Sequence, residues 1–321
     1  MKTSFLPKLV NGHSGDPALF VDLLHEKRAL LFDCGQLVAL SPSEILRITD
    51  VFVSHMHIDH FIGFDHLLRL HVGRSRRVRI FGPRGITGCV AGKLAGYTWN
   101  LVGRQRLVFE VYEWGRRQIR RSEFFCRHKF RSPRVTTLPG SSRLWEDQLL
   151  QVECAPLDHH ITSLAFSVKE RDFLNVNPVE LKRLGYRPGP WLNQLKQWVR
   201  QGRPEGGSVS VNGESLPAAP LAERLLIVTR GKKLVYIADA VGSEQNVARA
   251  VELAKDADML YCEAAFLHED IERATETRHL TARQAGEIAR LAGAKKLVVF
   301  HFSPKYEGRF SELHEEARQA F

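Results

Sequence analysis

Apolar residues along the chain fall into short runs of four or five, bounded by polar residues, glycines and prolines. Runs of this length, rich in β-branched and aromatic residues, read as strands rather than helices. They predict strands at 29–32, 50–53, 78–81, 225–228, 234–237, 259–262 and 296–300. Three later stretches space their apolar positions three and four apart and predict helices at 243–256, 281–291 and 311–320. Thr281-Ala282-Arg283-Gln284 has the form of a capping box, and Gly293 is a stop signal for the same helix. Strands and helices mixed in this way favour a layered α/β domain.

One segment, 173–220, breaks the pattern. It carries Pro178, Pro188, Pro190, Pro204, Pro217 and Pro220, with a glycine-rich stretch at 202–207. Two short helical patterns, 179–184 and 191–199, flank Gly185-Tyr186-Arg187-Pro188-Gly189-Pro190. Loops this long are uncommon in compact domains unless functional or disordered. The expectation is a single domain over 1–321 with an arm inserted at 173–220.

Composition narrows the class. Of 321 residues, 44% are hydrophobic, enough for a sizeable core. No run approaches the ~18 apolar residues that a spanning helix needs. The stretch from Met1 to Leu6 lacks the apolar region of a secretory signal. Five scattered cysteines (Cys34, Cys89, Cys126, Cys154 and Cys262) form no Cys-x-x-Cys pair and read as reduced thiols of a cytoplasmic protein. No membrane partner is expected.

The net charge of +10 favours a polyanion, because clustered cations displace counterions from phosphates. The charge is uneven. Residues 115–135 hold Arg116, Arg117, Arg120, Arg121, Arg127, Lys129, Arg131 and Arg134 against Glu123 alone. Trp114, Phe124, Phe125 and Phe130 accompany them, a composition suited to phosphates and unstacked bases together. A basic insertion at 114–135 that contacts RNA is one expectation; a solvated basic face over core aromatics is the other. A smaller cluster, Arg74, Arg76, Arg77 and Arg79, lies earlier in the chain.

The densest chemistry follows the run Val51-Phe52-Val53. Ser54-His55-Met56-His57-Ile58-Asp59-His60 packs three imidazoles and a carboxylate into six residues, all ligand types that zinc and similar ions accept. A lone histidine beside an apolar run is more often packed core, but four ligand groups at this spacing point to metal. In an extended segment His55 and His57 share a side, while Asp59 and His60 come after the chain turns. Such a split suits two ions that activate water and stabilise developing charge.

His55-Met56-His57-Ile58-Asp59-His60 resembles the signature of the metallo-β-lactamase superfamily, which implies two packed sheets with helices outside, an αββα sandwich. The resemblance also implies three further ligands: a histidine, an aspartate, and a histidine after a late strand. Leu157-Asp158-His159-His160 offers the first, and similarity around Leu157-Asp158-His159 selects His159 over His160. Asp239 and His301 each end an apolar run and supply the others. The implied assignment places His55, His57 and His159 on one ion and Asp59, His60 and His301 on the other. Asp239 would bridge them. Zinc is the default for this ligand set, although manganese or iron would tolerate it.

Other segments narrow the resemblance to ribonuclease Z, the tRNA 3′-end endonuclease. Leu181 to Pro190, followed by Leu195-Lys196, resembles that family's arm. Glu263-Ala264-Ala265-Phe266, His279-Leu280-Thr281-Ala282-Arg283-Gln284-Ala285 and His301-Phe302-Ser303-Pro304 are similar to three of its motifs. The implied roles are Asp59 orienting or deprotonating water, His279 protonating the leaving group, and Glu263 holding the His279 ring. Arg187, Gly189 and Pro190 on the arm, with Arg116, Arg117, Arg120 and Arg121, are the expected RNA contacts. The arm would grip the tRNA elbow across a homodimer.

The chain departs from the family pattern in four places, one of them the basic segment around 115–135, which is longer than the family pattern. Phe5-Leu6-Pro7-Lys8-Leu9-Val10-Asn11-Gly12-His13 stands where a glycine-rich loop is usual, Gln36-Leu37-Val38-Ala39 replaces a Glu-Gly-Thr-Gln run, and Ile58 takes a position commonly held by glycine. Alternatives are a phosphodiesterase of the same fold acting on another RNA or a cyclic nucleotide, and an RNA-binding protein whose metal site is not catalytic.

Overall fold

The computed structural model describes residues 5–24 and 26–321. They divide into two compact units, Met1–Glu170 with Lys232–Phe321, and Arg171–Gly231.

The first unit is built on two sheets. Eight strands lie in chain order in one: Phe5–Leu9, Leu19–Leu23, Ala29–Phe32, Ile48–Phe52, Arg77–Gly82, Val108–Glu113, Gln118–Phe125 and Arg134–Pro139. Its middle four strands are parallel. The other sheet has the order Leu297–Phe300, Met259–Glu263, Lys233–Ile237, Ile161–Glu170, Leu150–His159, Arg143–Glu146. Lys233–Ile237, Met259–Glu263 and Leu297–Phe300 are its parallel members.

Why the sheets stack follows from strand alternation. Successive side chains face opposite ways, so a strand apolar at every position must be covered on both faces. Leu30, Phe32, Phe52 and Phe81 of the first sheet join Phe166, Tyr236, Tyr261 and Phe300 of the second in one buried core between them. Their neighbours Ala29, Leu31, Val51, Val78 and Ile80 face outward, against the helices Phe64–His71 and Ile86–Ala95. Val235, Ile237, Leu260 and Val299 do the same beneath Glu244–Ala254, Ala282–Leu291 and Phe310–Ala320. The layers run helix, sheet, sheet, helix. The capping box at Thr281 is present, with Thr281 and Gln284 exchanging side-chain-to-backbone hydrogen bonds.

Parallel strands bring their C-terminal ends to one end of each sheet, where α/β folds collect ligand-binding loops. The loop after Ile48–Phe52 is pinned there by close backbone approach. Cys34 N–H donates to the His60 carbonyl and Gly63 N–H to the Cys34 carbonyl, each at 2.8 Å. A Cβ on Gly63 would sit 1.9 Å from the Gly35 carbonyl oxygen, so only glycine allows this contact.

The second unit carries its own core, with Leu181, Trp191, Leu195, Val209, Leu221 and Leu225 buried together. Phe173–Val176 pairs antiparallel with Leu226–Thr229, closing the segment at its base. The compact segment therefore runs past the expected 173–220, and the apolar run at 225–228 belongs to it rather than to the main sheets. Within it Pro178–Arg183 and Trp191–Arg200 are helices. The indole of Trp191 donates to the Arg187 carbonyl at 3.1 Å, which shapes the loop that presents Arg187, Gly189 and Pro190.

The basic segment is sheet. Gln118–Phe125 pairs with Val108–Glu113 on one side and Arg134–Pro139 on the other, so 114–135 is woven into the eight-stranded sheet. Phe124 and Phe130 are buried in the core, leaving them no face for a base. Arg121 is paired with Glu110 and Glu123, which also hold Arg77. Arg116, Arg117 and Arg120 are exposed. Among the described residues, no helix is long and apolar enough to cross a membrane.

Candidate metal centre and active site

The seven ligand candidates converge at the loop-bearing end of the sheets. His55 follows Ile48–Phe52, His57 caps the four-residue helix Ile58–Phe61, and Asp59 and His60 lie on that helix. His159 ends Leu150–His159, at the turn joining it to Ile161–Glu170. Asp239 and His301 follow Lys233–Ile237 and Leu297–Phe300.

Side-chain geometry divides them into two groups around one carboxylate. His55, His57, His159 and Asp239 present ligand atoms within 4.8 Å of one another, as do Asp59, His60 and His301. Asp239 Oδ2 lies 3.7 Å from His55 Nε2 and 3.6 Å from His159 Nε2. Its other oxygen, Oδ1, lies 3.4 Å from His60 Nε2 and 2.9 Å from His301 Nδ1. Asp59 Oδ2 is 3.4 Å from both His60 Nε2 and His301 Nε2. One oxygen of Asp239 faces each group, the disposition of a bridging ligand. His160, at φ +64°, is exposed at the turn and belongs to neither group.

Hydrogen bonds at the far ring nitrogens aim the imidazoles. His60 Nδ1 meets Asp33 Oδ2 at 2.8 Å, His55 Nδ1 meets Ser54 Oγ at 3.0 Å, and His159 Nδ1 meets the Arg278 carbonyl at 2.8 Å. Such partners fix ring orientation and tautomer, leaving Nε2 for a metal. Asp33 also accepts from Ser54 N–H at 2.6 Å, Ser54 Oγ at 2.9 Å and Tyr236 Oη at 2.8 Å. Sequence reasoning missed Asp33, although it ends a buried run just as Asp239 does.

The donor set fits a divalent cation on two counts. His55 Nε2 and His60 Nε2 are buried yet make no hydrogen bond, and Asp239 Oδ1 and His301 Nδ1 meet only each other, at 2.9 Å but without hydrogen-bond geometry. Orphaned buried polar atoms are costly, and coordination to an ion would satisfy all four. Electrostatics points the same way. Burial alone would lower the His60 pKa, but Asp239 and Asp33 hold it well above its ordinary value. His301, likewise opposed by burial, is raised to about 10 by Asp239 and Asp59. Asp239 is pushed well below the carboxylate range by His301 and His60 against the effect of burial. Without a cation the buried carboxylates recruit protons onto neighbouring rings; the cluster demands positive charge. His55, lowered by burial and by charged His60 beside it, falls to about 2 and is neutral, the state a ligand needs.

Two further residues complete the site. Glu263, fully buried, accepts from Ala240 N–H at 2.7 Å and Leu280 N–H at 3.2 Å through Oε1. Its Oε2 lies 3.0 Å from His279 Nδ1. Burial would lower the His279 pKa, but Glu263 and Asp239 raise it. A cleft of about 320 Å³ opens over this side, lined by Ser14, Asp16, Asp59, Phe266, His279 and His301 among others. Ile58 is exposed, with 75% of its surface open to solvent.

No family model matches the chain. Ribonuclease Z of Deinococcus radiodurans is 32% identical over 297 residues, spanning 91% of this chain and 88% of that protein. Ribonuclease Z of Brevibacillus brevis is 30% identical over 307 residues, spanning 91% and 82%. Among solved structures, human tRNase Z, short form, matches with a TM-score of 0.52 at 20% identity, covering 96% of this chain and 94% of that one. The metallo-β-lactamase fold protein YhfI from Bacillus subtilis matches with a TM-score of 0.56 at 16% identity, covering 98% and 91%. These two likenesses concern the fold, and they agree with the layered sheets. The sequence relationship covers about nine-tenths of the chain and most of each relative: the chain belongs to the ribonuclease Z family, on the metallo-β-lactamase fold.

Proposed function

We infer that this protein is a metal-dependent endoribonuclease that removes the 3′ trailer of tRNA precursors. The observation that carries the reading is the paired ligand groups sharing Asp239, with His279 and Glu263 beside the same cleft. Incubating purified protein with a 3′-extended pre-tRNA and with bis-p-nitrophenyl phosphate tests it. Release of an intact trailer is expected; cleavage of the small ester alone would favour a different phosphodiester substrate.

His55, His57, His159 and Asp239 would hold one divalent cation, and Asp59, His60, His301 and Asp239 a second, with zinc favoured by the imidazole-rich set. Ions bound there supply Lewis acidity toward the phosphate and lower the pKa of water. Asp59, with 36% of its side chain exposed, is the carboxylate placed to orient or deprotonate that water. His279 stands across the cleft as proton donor to the departing 3′ oxygen. Glu263 occupies Nδ1 of that ring, which leaves Nε2 as the donating atom.

The 171–231 unit is the expected grip on the tRNA body, through the exposed Arg187 and its neighbours Gly189 and Pro190. Arg187→Ala is expected to raise KM for pre-tRNA roughly tenfold and reduce the salt dependence of binding, as loss of a phosphate contact does. Unchanged pre-tRNA kinetics would remove Arg187 from the RNA surface.

A homodimer accompanies this reading. Val38 and Ile58 are 76% and 75% exposed and Ile62 is 40% exposed, on two segments that the Gly35–Gly63 contact joins. Adjacent exposed apolar groups of this kind mark association surfaces. Sedimentation at micromolar concentration should give twice the chain mass, and Val38→Asp should lower it; a monomeric parent would discard the dimer. Five free thiols suit a reducing, cytoplasmic setting.

A further inference from the structure

Strand register sorts the basic residues of the first sheet into a line. Arg77 pairs with Val108, Val108 with Phe125, and Glu123 with Arg134. Residues just before Val108, just after Phe125 and at the start of Arg134–Pro139 therefore share one end of the sheet. It is the end opposite the metal ligands. Arg104, Arg106, Arg127, Lys129, Arg131 and Arg134 all sit there, all exposed. Glu110 and Glu123 are the nearest strand carboxylates, buried and already held by Arg77 and Arg121.

At the catalytic end, the turn between Val108–Glu113 and Gln118–Phe125 presents Arg116 and Arg117. That turn is two strands from the His55 loop, about 10 Å at ordinary strand spacing. Between the two ends runs the sheet's edge, Gln118–Phe125 with Arg134–Pro139, bearing exposed Arg120 near the catalytic end, where it pairs with Glu113. Eight strand residues span about 27 Å. Val135, exposed at 44%, shares the face of Arg120, while Leu138, exposed at 41%, shares the opposite face with Arg134 and half-buried Phe125. Cations and apolar groups thus flank the edge on both sides, and Trp114 is half-buried at the catalytic end.

We propose that this edge is a binding track for single-stranded RNA, and that its occupant is the 3′ trailer downstream of the scissile phosphate. The inference rests on the endonuclease reading above and extends it to a surface remote from the metals. A row of cations with apolar and aromatic groups beside it is the surface that single strands use, phosphates on charge and bases on flat apolar faces. The track follows the rim of the sheet at its last strand, which matches one phosphate backbone rather than the two of a helix. It starts beside the catalytic loops, so a chain leaving the site reaches Arg116 and Arg117 first and the far cations only when long enough.

The test compares pre-tRNAs with trailers of about 2 and about 12 nucleotides, within the site sizes such surfaces cover. The parent should bind the long trailer roughly tenfold more tightly, with a steeper salt dependence. Combining Arg127→Gln, Lys129→Gln and Arg131→Gln should bring that ratio to about one and cut the long-trailer salt slope by about 2. A thermal melt matching the parent excludes unfolding as the cause. Equal parental affinity for both trailers, or an unchanged ratio in the triple variant, would overturn the track. Equal weakening with both trailers and with mature tRNA would also overturn it, in favour of contact with the tRNA body. If neither precursor is cut at all, it is the endonuclease reading that fails.

Discussion

Asp239→Ala is expected to strip the protein of most of its metal and lower pre-tRNA cleavage at least about a thousandfold, the equivalent of several kcal/mol of lost charge stabilisation. The size follows from position. Every other ligand candidate serves one group, whereas the two oxygens of Asp239 face His55 and His159 on one side and His60 and His301 on the other. It is also the carboxylate that does most to hold His60 and His301 above their ordinary pKa values against burial. Elemental analysis of the purified parent should find about two ions per chain and the variant few. Chelation should lower the parent's melting temperature, because a cation that binds only the folded state stabilises it. The variant should melt with little response to chelator. Two retained ions with full activity would remove Asp239 as a shared ligand.

How much of this was legible beforehand depends on what each signal measured. Runs apolar at every position were found because both faces of those strands are covered: Ala29–Phe32 is buried throughout, and Lys233–Ile237 nearly so. The hairpin Leu150–His159 and Ile161–Glu170 was overlooked apart from His159. Gln151, Glu153 and Asp158 alternate with its buried residues, and that half-buried pattern hides in a search for continuous runs. Gln118–Phe125 hides for a different reason: its arginines mask a strand buried on both faces, Ile119 on one and Ser122 and Phe124 on the other.

At the site, ligand chemistry was legible because metals demand particular atoms at short range, so His55 to His60 stood out locally. Support for those ligands was not. Asp33, Ser54 and Tyr236 form one buried hydrogen-bonded group behind His60, yet Tyr236 Oη reaches Asp33 across 203 positions of sequence. No spacing rule connects such residues; only the stacked sheets bring them together. The aromatic half of the basic-segment argument loses two of its four members on the same ground, since composition cannot say that Phe124 and Phe130 turn into the core while Trp114 and Phe125 stay half-buried.

His279→Ala carries the second large effect, and its value lies in what it should leave alone. His279 lies within reach of the cluster, with Nδ1 3.9 Å from Asp239 Oδ2, but Glu263 holds that nitrogen at 3.0 Å, so metal content should match the parent. Glu263, losing its imidazole partner, keeps two backbone donors in Ala240 and Leu280, and the fold should survive the change. Loss of a general acid typically costs 10²- to 10⁴-fold, and kcat for pre-tRNA is expected to fall by about that range with KM little altered. Leaving-group chemistry supplies the sharper contrast. The departing 3′ oxygen of RNA is strongly basic and needs a proton as it leaves, whereas p-nitrophenolate departs without one. Hydrolysis of bis-p-nitrophenyl phosphate by the variant should therefore fall far less than pre-tRNA cleavage. A parallel loss on both substrates would show His279 acting through the metal cluster or the fold. An uneven loss identifies the ring as the proton donor, and makes Glu263, which holds its Nδ1, a positioning residue for that step.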